Sequence, residues 1–372
     1  MRLLVLLVLL AGCPSPARPT IPTGTLRPTA GEPRIKWTRV ESPADVPAEP
    51  PAPGTYRIHL IDVGTGLSIL VQGADFTLLY DAGTNDREER PSRILAYLSR
   101  ALGPSGDDLC GGETTTGPKK AIDDVVLSHP HFDHASAMDL VVHCYDIHDF
   151  YDSGRVSEAK FYRALVDALA LSPATRYHTA ASVPDDHTQA GARIAQWQRF
   201  SEGDVVQLGA GARFTILHAE PKAVKDINEN SVVIAVELGG IRLLLVGDAP
   251  SGPRQDPSYP AGEVEQFLID HHAAEIRADI LQVGHHGSKT SSRRAFLDAV
   301  HPRLALVSSG PKVYGHTVLP DREIIEELGK IGAKVLRTDE RDGNCPLRGR
   351  IGGDDGPGGC DTYIITIGKP GK

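Results

Sequence analysis

Four potential metal ligands lie within six residues of one loop: His129, His131, Asp133 and His134. Imidazole and carboxylate groups suit Zn²⁺, and also Mn²⁺ or iron. His129 and His131 are two residues apart on an extended segment, so both side chains can point to one side. Asp133 and His134 then reach a second point nearby. This spacing predicts two divalent metal ions, which at a separation of ~3.5–4 Å can activate water and hold the attacking and leaving oxygens of a displacement.

The segments on either side of this cluster indicate how it is held. A short apolar run at residues 124–127 is of strand type, and residues 135–140 can open a helix. The cluster is therefore predicted to occupy a strand-to-helix loop. Two metal shells need further ligands, and three more side chains follow strand-like apolar runs: His218, Asp248 and His285. Of these, Asp248 could bridge both ions.

The strand and helix patterns predict one large folded domain. Strand-like runs occur in two groups, each accompanied by helical patterns, which favours a layered α/β fold with helices outside. We assign residues 56–372 to this domain, with a mostly helical insertion at about 141–200 that covers the site. Residues 13–55 are rich in Pro, Thr and Ala and are predicted to be an extended spacer.

The N-terminus has the features of an export signal. Residues 3–10 form an unbroken apolar run after Arg2, too short for a membrane-spanning helix. Residues 10–13 resemble the lipobox of bacterial lipoprotein signals, which implies a signal peptide at 1–12 and lipidation of Cys13. An ordinary signal peptide with a chance cysteine is the alternative. We expect an exported, membrane-anchored lipoprotein that faces the periplasm or the cell exterior, attached through this anchor alone.

The cysteine count agrees with export. Lipidation of one of the five cysteines would leave four, and an even number in an oxidising compartment predicts two disulfides. Proximity favours Cys110 with Cys144 and Cys345 with Cys360, one of three possible connectivities. Free, buried thiols are the alternative.

Composition limits the class of protein. The chain is 40% hydrophobic and 23% charged, which is normal for a globular protein with a sizeable core. A net charge of -9 argues against a strongly basic surface for nucleic acid. Bound metals can nevertheless supply local positive charge for an anionic substrate.

The order of the motifs resembles the metallo-β-lactamase superfamily, and within it the hydrolase domain of the ComEC/Rec2 competence proteins and their free-standing relatives. The signature is the cluster at 129–134 with Asp248 and His285. Further matching segments span about residues 56 to 342, namely 59–64, 79–83, 126–134, 230–233, 245–248, 278–292, 314–316 and 334–339.

The resemblance implies a four-layer αββα sandwich with two metal ions, Zn or Mn, at the edge between its sheets. It implies His129 and His131 on one ion, Asp133, His134 and His285 on the other, and Asp248 between them. His285 is preferred to His286 as the ligand, although the sequence leaves both open. The remaining implied roles are catalysis by Asp133, Asp248 and His286, support of ligating histidines by Asp81 and Asp62, and substrate binding by Ser288, Lys289 and His316.

Two departures from the family pattern bear on function. The family's Gln and Asp in the loop at 62–68 are replaced by Thr65 and Leu67. The third-motif histidine has no clear counterpart, and His218 or the position of Asn230 and Ser231 could replace it.

We expect a hydrolase of phosphodiester bonds, in nucleic acid or a phosphorylated envelope component. The alternatives are a β-lactam or other ester or amide hydrolase, and a non-catalytic, lipid-anchored binding protein with a degenerate hydrolase fold. No protein partner is predicted.

Overall fold

The computed structural model describes residues 23–26, 33–86, 93–111, 114–342 and 359–369. The predictions for residues 1–22, including the signal peptide and lipidation of Cys13, therefore lie outside the described residues. Within the described ranges, every helix is too short or too polar to cross a membrane.

The strands of the first half of the described chain are Thr23–Thr25 (β1), Arg34–Arg39 (β2), Tyr56–Leu60 (β3), Gly66–Gln72 (β4), Thr77–Thr84 (β5), Ala121–Val126 (β6), Asp146–Asp152 (β7), Arg176–Thr179 (β8), Thr188–Gln189 (β9), Ala192–Arg193 (β10) and Gln196–Arg199 (β11). The later strands are Val205–Gly209 (β12), Ala212–His218 (β13), Val233–Leu238 (β14), Ile241–Leu245 (β15), Ile280–Gln282 (β16), Leu304–Val307 (β17), Val313–Tyr314 (β18), Thr317–Val318 (β19), Lys334–Arg337 (β20) and Tyr363–Gly368 (β21).

The α-helices are Arg93–Leu102 (α1), Phe132–Ala135 (α2), Met138–Cys144 (α3), Lys160–Ala170 (α4), Glu263–His271 (α5), Arg294–Val300 (α6) and Arg322–Lys330 (α7). Short 3-10 helices occur at Pro43–Asp45, Asp108–Cys110, Ile227–Asn230 and Gly284–Gly287. The longer helices are amphipathic. In α1, for example, Ile94, Leu95 and Leu98 are buried at the i, i+1, i+4 spacing of one helix face.

Two large sheets form the body of the domain. The first has the strand order β1-β2-β21-β3-β4-β5-β6-β7-β8-β11, and the second has the order β12-β13-β14-β15-β16-β17-β20. Within the first sheet, β5 pairs in parallel with β6, and within the second, β15 pairs in parallel with β16. The carboxyl ends of these central parallel strands lead into the segments that hold the candidate site.

Three apolar clusters define the layers. One lies between the two sheets and contains Ile69 of β4 and Leu243 of β15. A second joins the outer face of the first sheet to α1, α3 and α4, and a third joins the outer face of the second sheet to α5, α6 and α7. The order is helix, sheet, sheet, helix, which is the predicted αββα sandwich.

Ordered structure begins earlier than the sequence pattern predicted. Strand β2 pairs antiparallel with β21 over six residues, from Arg34 with Gly368 to Arg39 with Tyr363. The predicted spacer at 13–55 is therefore wrong for its described parts, residues 23–26 and 33–55, since β1 in turn pairs with β2. Proline-rich composition hid the strand, because its partner lies more than 300 residues away and is invisible to a local pattern.

The segment at 141–200 also differs from its prediction. It was expected to be a mostly helical insertion over the site. Instead β7, β8 and β11 extend the first sheet by three parallel strands, and α4 is its one long helix among the described residues. Polar strand residues such as Asp146 and His148 obscured the strand pattern of β7.

A disulfide joins Cys110 to Cys144, as the proximity argument predicted. It connects the 3-10 turn after α1 to the end of α3, across 34 residues of sequence. Cys345 lies outside the described residues, so its pairing with Cys360 stays a prediction.

Candidate metal centre

The loop between β6 and α2 brings the first two histidines together. His129 is fully buried, and His131 precedes the first turn of α2 in an extended conformation. The Nε2 atom of His129 lies 2.9 Å from the Nδ1 atom of His131. Two ring nitrogens at this separation can share one metal ion, because adjacent ligands of a tetrahedral ion lie roughly 3 Å apart at zinc–nitrogen distances of ~2.0–2.1 Å.

Asp81 orients the second part of the cluster. Its carboxylate accepts hydrogen bonds from His134 Nδ1 at 2.7 Å and from the backbone N–H and hydroxyl of Ser128, both at 2.7 Å. With Nδ1 occupied, the other ring nitrogen of His134 faces the centre of the site. Asp81 itself has a φ of +59°, a left-handed conformation that costs energy outside glycine and is common at functional sites.

Two glycines allow the strands to approach this loop. A Cβ on Gly83 of β5 would lie 2.4 Å from the backbone of both Asp133 and His134. A Cβ on Gly247 would lie 2.7 Å from the Cβ of Ser128, and Gly247 has a φ of +55°. Any side chain at either position would push the ligand loop away from its sheet.

Asp248 is the central carboxylate of the site. It follows β15, and its Oδ1 lies 3.2 Å from His134 Nε2. Its Oδ2 lies 4.0 Å from His129 Nε2, and 3.7 Å from the Nε2 atoms of both His285 and His286. One carboxylate thus faces imidazoles from both sheets.

The structure separates the two adjacent histidines after β16. The Nδ1 atom of His286 lies 2.8 Å from the Ser308 carbonyl, which can only accept, so Nδ1 carries the hydrogen. Its Nε2 is buried and lies 3.7 Å from Asp133 Oδ2. His285 instead turns its Nδ1 to Thr290 Oγ1 at 2.7 Å, and its side chain is 25% exposed. His286 therefore lies with Asp133 and His134, where His285 was preferred from the sequence.

The residues fit divalent metals. Among the described residues, two groups bring ligand atoms within 4.8 Å of one another here: His129, His134 and Asp248, and Asp133, His134 and His286. Three of these atoms, His134 Nε2, Asp248 Oδ1 and His286 Nε2, are buried without a partner in hydrogen-bonding geometry, although the first two lie 3.2 Å from each other. Buried polar atoms are rarely left unsatisfied, and a cation among them would satisfy all three.

The electrostatics keep the carboxylates ionised. Burial opposes ionisation of Asp248, but the charges of His134, His286 and His285 outweigh it and hold the pKa of Asp248 well below its usual value. Burial likewise opposes ionisation of Asp133, whose pKa is lowered by His134 and His286. Burial lowers the pKa of His129 well below its usual value. Ionised carboxylates and a neutral imidazole are the forms that bind metal. Burial opposes protonation of His134, but the charges of Asp248 and Asp81 raise its pKa well above the usual value, so a metal would have to displace that proton.

Two residues nominated from the sequence lie outside this arrangement. The Nδ1 of His218 lies 2.8 Å from the Ser231 carbonyl, its ring packs against Phe267, and it belongs to neither ligand group of the described residues. Asp62 accepts hydrogen bonds from the backbone of Gly64, Cys360 and Asp361. It therefore ties the final strand to β3 and supports no ligating histidine.

A cavity of about 430 Å³ opens in front of the ligands. It is lined by both apolar and polar side chains: Asn85, His131, Phe132, Asp133, Asp248, Arg254, His285, His286, Ser288, Thr290, Tyr314, Thr317 and Leu319.

Of the nominated substrate-binding residues, Ser288 lines the cavity. Lys289 does not, because its ammonium group pairs with Glu323 at 2.7 Å. His316 is exposed in the turn between β18 and β19 and also lies off the cavity wall.

Sequence reasoning missed several residues that shape the site. Asn85 and Tyr314 both donate to Asp133 Oδ2, at 2.6 and 3.1 Å. Gln282 is buried and bonds the backbone of residues 246, 247 and 283, which fixes the strand ends of Asp248 and His285 to each other. Tyr314 begins the 314–316 motif, so a signal existed there. Gln282 likewise lies within the 278–292 motif, whereas the sequence offers no such signal for Asn85 or Arg254.

Comparison with known proteins identifies the family. The profile described as "Metallo-beta-lactamase superfamily" matches residues 61–310, which is more than half of the chain. The chain belongs to this superfamily.

Among curated proteins the chain is similar to Competence protein ComA of Neisseria gonorrhoeae, with 27% identity over 279 residues, covering 75% of this chain and 30% of the relative. It is also similar to ComE operon protein 3 of Bacillus subtilis, with 26% identity over 289 residues, covering 76% of this chain and 32% of the relative. The chain thus spans about a third of the length of these relatives.

Two solved structures resemble the fold. The metallo-beta-lactamase fold protein YhfI from Bacillus subtilis has 12% identity and a TM-score of 0.40, over 76% of this chain and 95% of that one. Zn(2+)-bound PqqB from Methylobacterium extorquens has 13% identity and a TM-score of 0.41, over 75% of this chain and 97% of that one.

Proposed function

We propose that this member of the metallo-beta-lactamase superfamily is a metal-dependent hydrolase that cleaves phosphodiester bonds, in nucleic acid or in a phosphorylated envelope component. The observation that carries the proposal is the convergence of three buried ligand atoms without hydrogen-bond partners, on His134, Asp248 and His286. They face a cavity whose wall carries Arg254 and the hydroxyls of Ser288 and Thr290, which suit an anionic substrate.

The ligand atoms divide naturally between two ions. His129 Nε2 and His131 Nδ1 would hold one ion, and Asp133, His134 and His286 the other, with Asp248 between them. Two divalent ions such as Zn²⁺ or Mn²⁺ supply Lewis acidity and lower the pKa of bound water toward ~7.

The surrounding residues hold the ligands in one arrangement. Asp81 fixes the ring of His134, and the Ser308 carbonyl fixes the ring of His286. Asn85 and Tyr314 together restrain Asp133 Oδ2. Restraint of each ligand by a second side chain or by backbone is characteristic of working metal sites and raises metal affinity.

The substitutions in the loop at 62–68 do not support the alternative of a binding protein without catalytic activity. Leu67 is fully buried in the core between the sheets. Thr65 accepts a hydrogen bond from the backbone of Lys312, next to the 313–318 hairpin. Among the described residues, neither ligand group includes a residue of this loop. The substitutions therefore leave the proposed ligands in place.

The test is metal content combined with a substrate screen. The purified protein should hold about two metal ions per chain and hydrolyse bis-p-nitrophenyl phosphate in the presence of manganese or zinc. Asp133→Ala and Asp248→Ala should abolish that activity, because each removes a carboxylate that no neighbour can replace. DNA, RNA and a chromogenic cephalosporin complete the screen.

The outcomes are distinct. Full activity in either variant would sink the two-metal proposal. Hydrolysis of the cephalosporin alone would favour a lactamase, and a metal-free protein that is inert with added metal would favour a binding module.

We also propose that the protein is anchored to the cell envelope through Cys13. The support is the sequence of residues 10–13 and the Cys110–Cys144 disulfide, which forms in oxidising compartments. Cells labelled with an alkyne fatty acid should incorporate it into the wild type and not into Cys13→Ser. Equal labelling of both proteins would rule the anchor out.

A further inference from the structure

Arg254 is a cationic side chain that lines the cavity beside Asp248 and His286. We propose that Arg254 and Ser288 form an anion clamp, which binds non-reacting oxygens of the substrate's phosphate group and selects anionic esters. The inference rests on the proposed function, because it assigns the residues that recognise the substrate at the same site.

The guanidinium is oriented from two sides. Arg254 Nη1 donates to Ser288 Oγ at 3.0 Å, and Nη2 lies 2.6 Å from Asp321 Oδ1. The side chain is nevertheless 38% exposed. Because a guanidinium carries five N–H donors in a planar fork, two anchoring contacts leave others for a ligand in the cavity.

A second arginine holds the segment that carries Arg254. Arg293 is fully buried, and its guanidinium donates to the backbone carbonyls of Pro253 at 2.7 Å, Gln255 at 2.8 Å and Asp256 at 3.1 Å. These carbonyls lie on both sides of Arg254. Burying a charged side chain is costly without hydrogen bonds. The three carbonyls satisfy Nη1 and Nη2 of Arg293, while its Nε has no hydrogen-bond partner among the described residues, so the loop is held in place by the two terminal nitrogens.

Further backbone contacts join the same loop to the ligand segment. The Ser251 N–H donates to the Thr290 carbonyl at 2.7 Å, and the Arg294 N–H donates to the Pro257 carbonyl at 2.9 Å. The loop after Asp248 and the segment after His286 therefore form one fixed unit. Arg254 and Ser288 face each other across it.

The hydroxyl of Ser288 completes the clamp. Its oxygen accepts from Arg254 Nη1 and from the Thr290 N–H at 3.3 Å. The Thr290 hydroxyl also donates to this oxygen, at 3.0 Å, so the hydrogen of Ser288 remains for an oxygen in the cavity. A charged donor and a hydroxyl side by side match two oxygens of one phosphate group.

An uncharged ester would leave this arrangement unmatched. In the cavity, Arg254 would then face a neutral group, and the charge of Arg254 would be balanced by Asp321 alone. A phosphate ester instead offers anionic oxygens to the guanidinium N–H donors that Asp321 and Ser288 leave free. The clamp therefore favours phosphate esters over neutral lactams and carboxylic esters.

The experiment compares four proteins on bis-p-nitrophenyl phosphate: wild type, Arg254→Gln, Arg254→Lys and Arg322→Gln. Arg254→Gln should raise KM about tenfold or more and change kcat less than about threefold, because the clamp binds non-reacting oxygens. Arg254→Lys should fall between the wild type and Arg254→Gln, since it keeps the charge and loses the fork. Arg322, whose side chain is 85% exposed, provides the charge-matched control and should behave as wild type.

Calorimetric titration with inorganic phosphate provides a readout that does not depend on turnover. Arg254→Gln should bind phosphate about tenfold more weakly than the wild type and Arg322→Gln. Circular dichroism should show the same fold in all four proteins.

The outcomes separate the clamp from the proposed function. If the wild type fails to hydrolyse the diester but Arg254→Gln still loses phosphate affinity, the function fails and the clamp stands. If Arg254→Gln retains the wild-type KM and phosphate affinity, the clamp is wrong while the hydrolase proposal stands.

Discussion

Asp81 links the scaffold to the chemistry at the scale of one residue. It receives three hydrogen bonds, from His134 and from both polar groups of Ser128, and it holds a left-handed backbone conformation to do so. Burial raises the pKa of Asp81, while the hydrogen bonds and charge of His134 lower it. Its role is to keep the Nε2 atom of His134 directed at the metal position.

We predict that Asp81→Asn lowers metal affinity by roughly 10- to 100-fold, the usual effect of losing a residue that orients a ligand. Asparagine tolerates a positive φ, so the substitution tests the carboxylate and not the backbone. The NH2 of the asparagine amide would face one of the N–H or O–H groups from which the carboxylate accepts a hydrogen bond. Zinc competition against a chromophoric chelator measures the change.

Asp186→Asn is the control for this variant, because Asp186 is exposed and bonds its own neighbour Thr188. Both proteins should unfold cooperatively. An Asp81→Asn protein that binds zinc as tightly as Asp186→Asn would show that His134 needs no support.

The choice between His285 and His286 marks the limit of sequence reasoning at this scale. Both follow the same strand and both have a positive φ, of 48° and 54°. The Ser308 carbonyl, which follows directly after β17, draws His286 inward. A tertiary contact of this kind leaves no trace in the spacing of residues 285 and 286.

At the scale of elements, α5 stabilises the segment behind the cavity through Glu265. This buried carboxylate accepts hydrogen bonds from the backbone N–H groups of Ser292 and Arg293 and from the Ser291 hydroxyl. Burial raises the pKa of Glu265 to about 7, although these hydrogen bonds and one from Ser251 lower it in part.

This pKa predicts a pH dependence of stability. An acid whose pKa is higher in the folded than in the unfolded state favours folding most at low pH, and that contribution is lost as pH rises to the folded pKa. For Glu265 the window runs from the ordinary value of 4.5 to about 7. The loss amounts to roughly 3 kcal/mol of unfolding free energy.

Glu265→Gln should therefore become more stable relative to the wild type by about that amount as pH rises through this window. Urea unfolding at several pH values measures the difference. If the substitution also removes a hydrogen bond, the unfolding free energy falls by the same amount at every pH. The difference in pH dependence between the two proteins then remains. Glu326→Gln, at a half-exposed position on α7, should show no such change. Parallel curves for Glu265→Gln and wild type would contradict the prediction.

Most core elements could be predicted because their patterns are local. The apolar runs of β14 to β17 and the amphipathic spacing of α1 and α7 are visible in the sequence. The polar strand β7 and the early strand β2 are not, since each is stabilised by pairing with distant strands. Local composition describes such strands poorly, because their stability comes from the partner.

At the scale of the molecule, both sheets contribute residues to the site. His129, His131, Asp133 and His134 follow a strand of the first sheet, and Asp248 and His286 follow strands of the second. That these residues converge could be predicted, because each follows a strand-like run in the sequence. This pattern could not predict Arg254, because the loop that carries it takes its shape from Arg293, a contact between two irregular segments.

In the proposed centre the metal ions would link the two sheets, so their removal should lower global stability. Without metal, the ionised carboxylates of Asp133 and Asp248 and the unpartnered imidazoles stay buried at the junction. Metal that binds only the native state adds about 2.7 kcal/mol at a hundredfold excess over its Kd. For a domain of this size, that corresponds to a rise in Tm of roughly 4 °C.

The Tm of the wild type in thermal unfolding should therefore fall in EDTA and recover when excess zinc is restored. Asp248→Asn removes the carboxylate that faces both sheets, so its Tm should barely respond to either treatment. It should also be less stable than the metal-free wild type, because His134 holds Asp248 ionised and the substitution leaves that imidazole buried without its partner. Equal Tm values for the wild type with EDTA and with zinc would mean that the sheets are held together without metal.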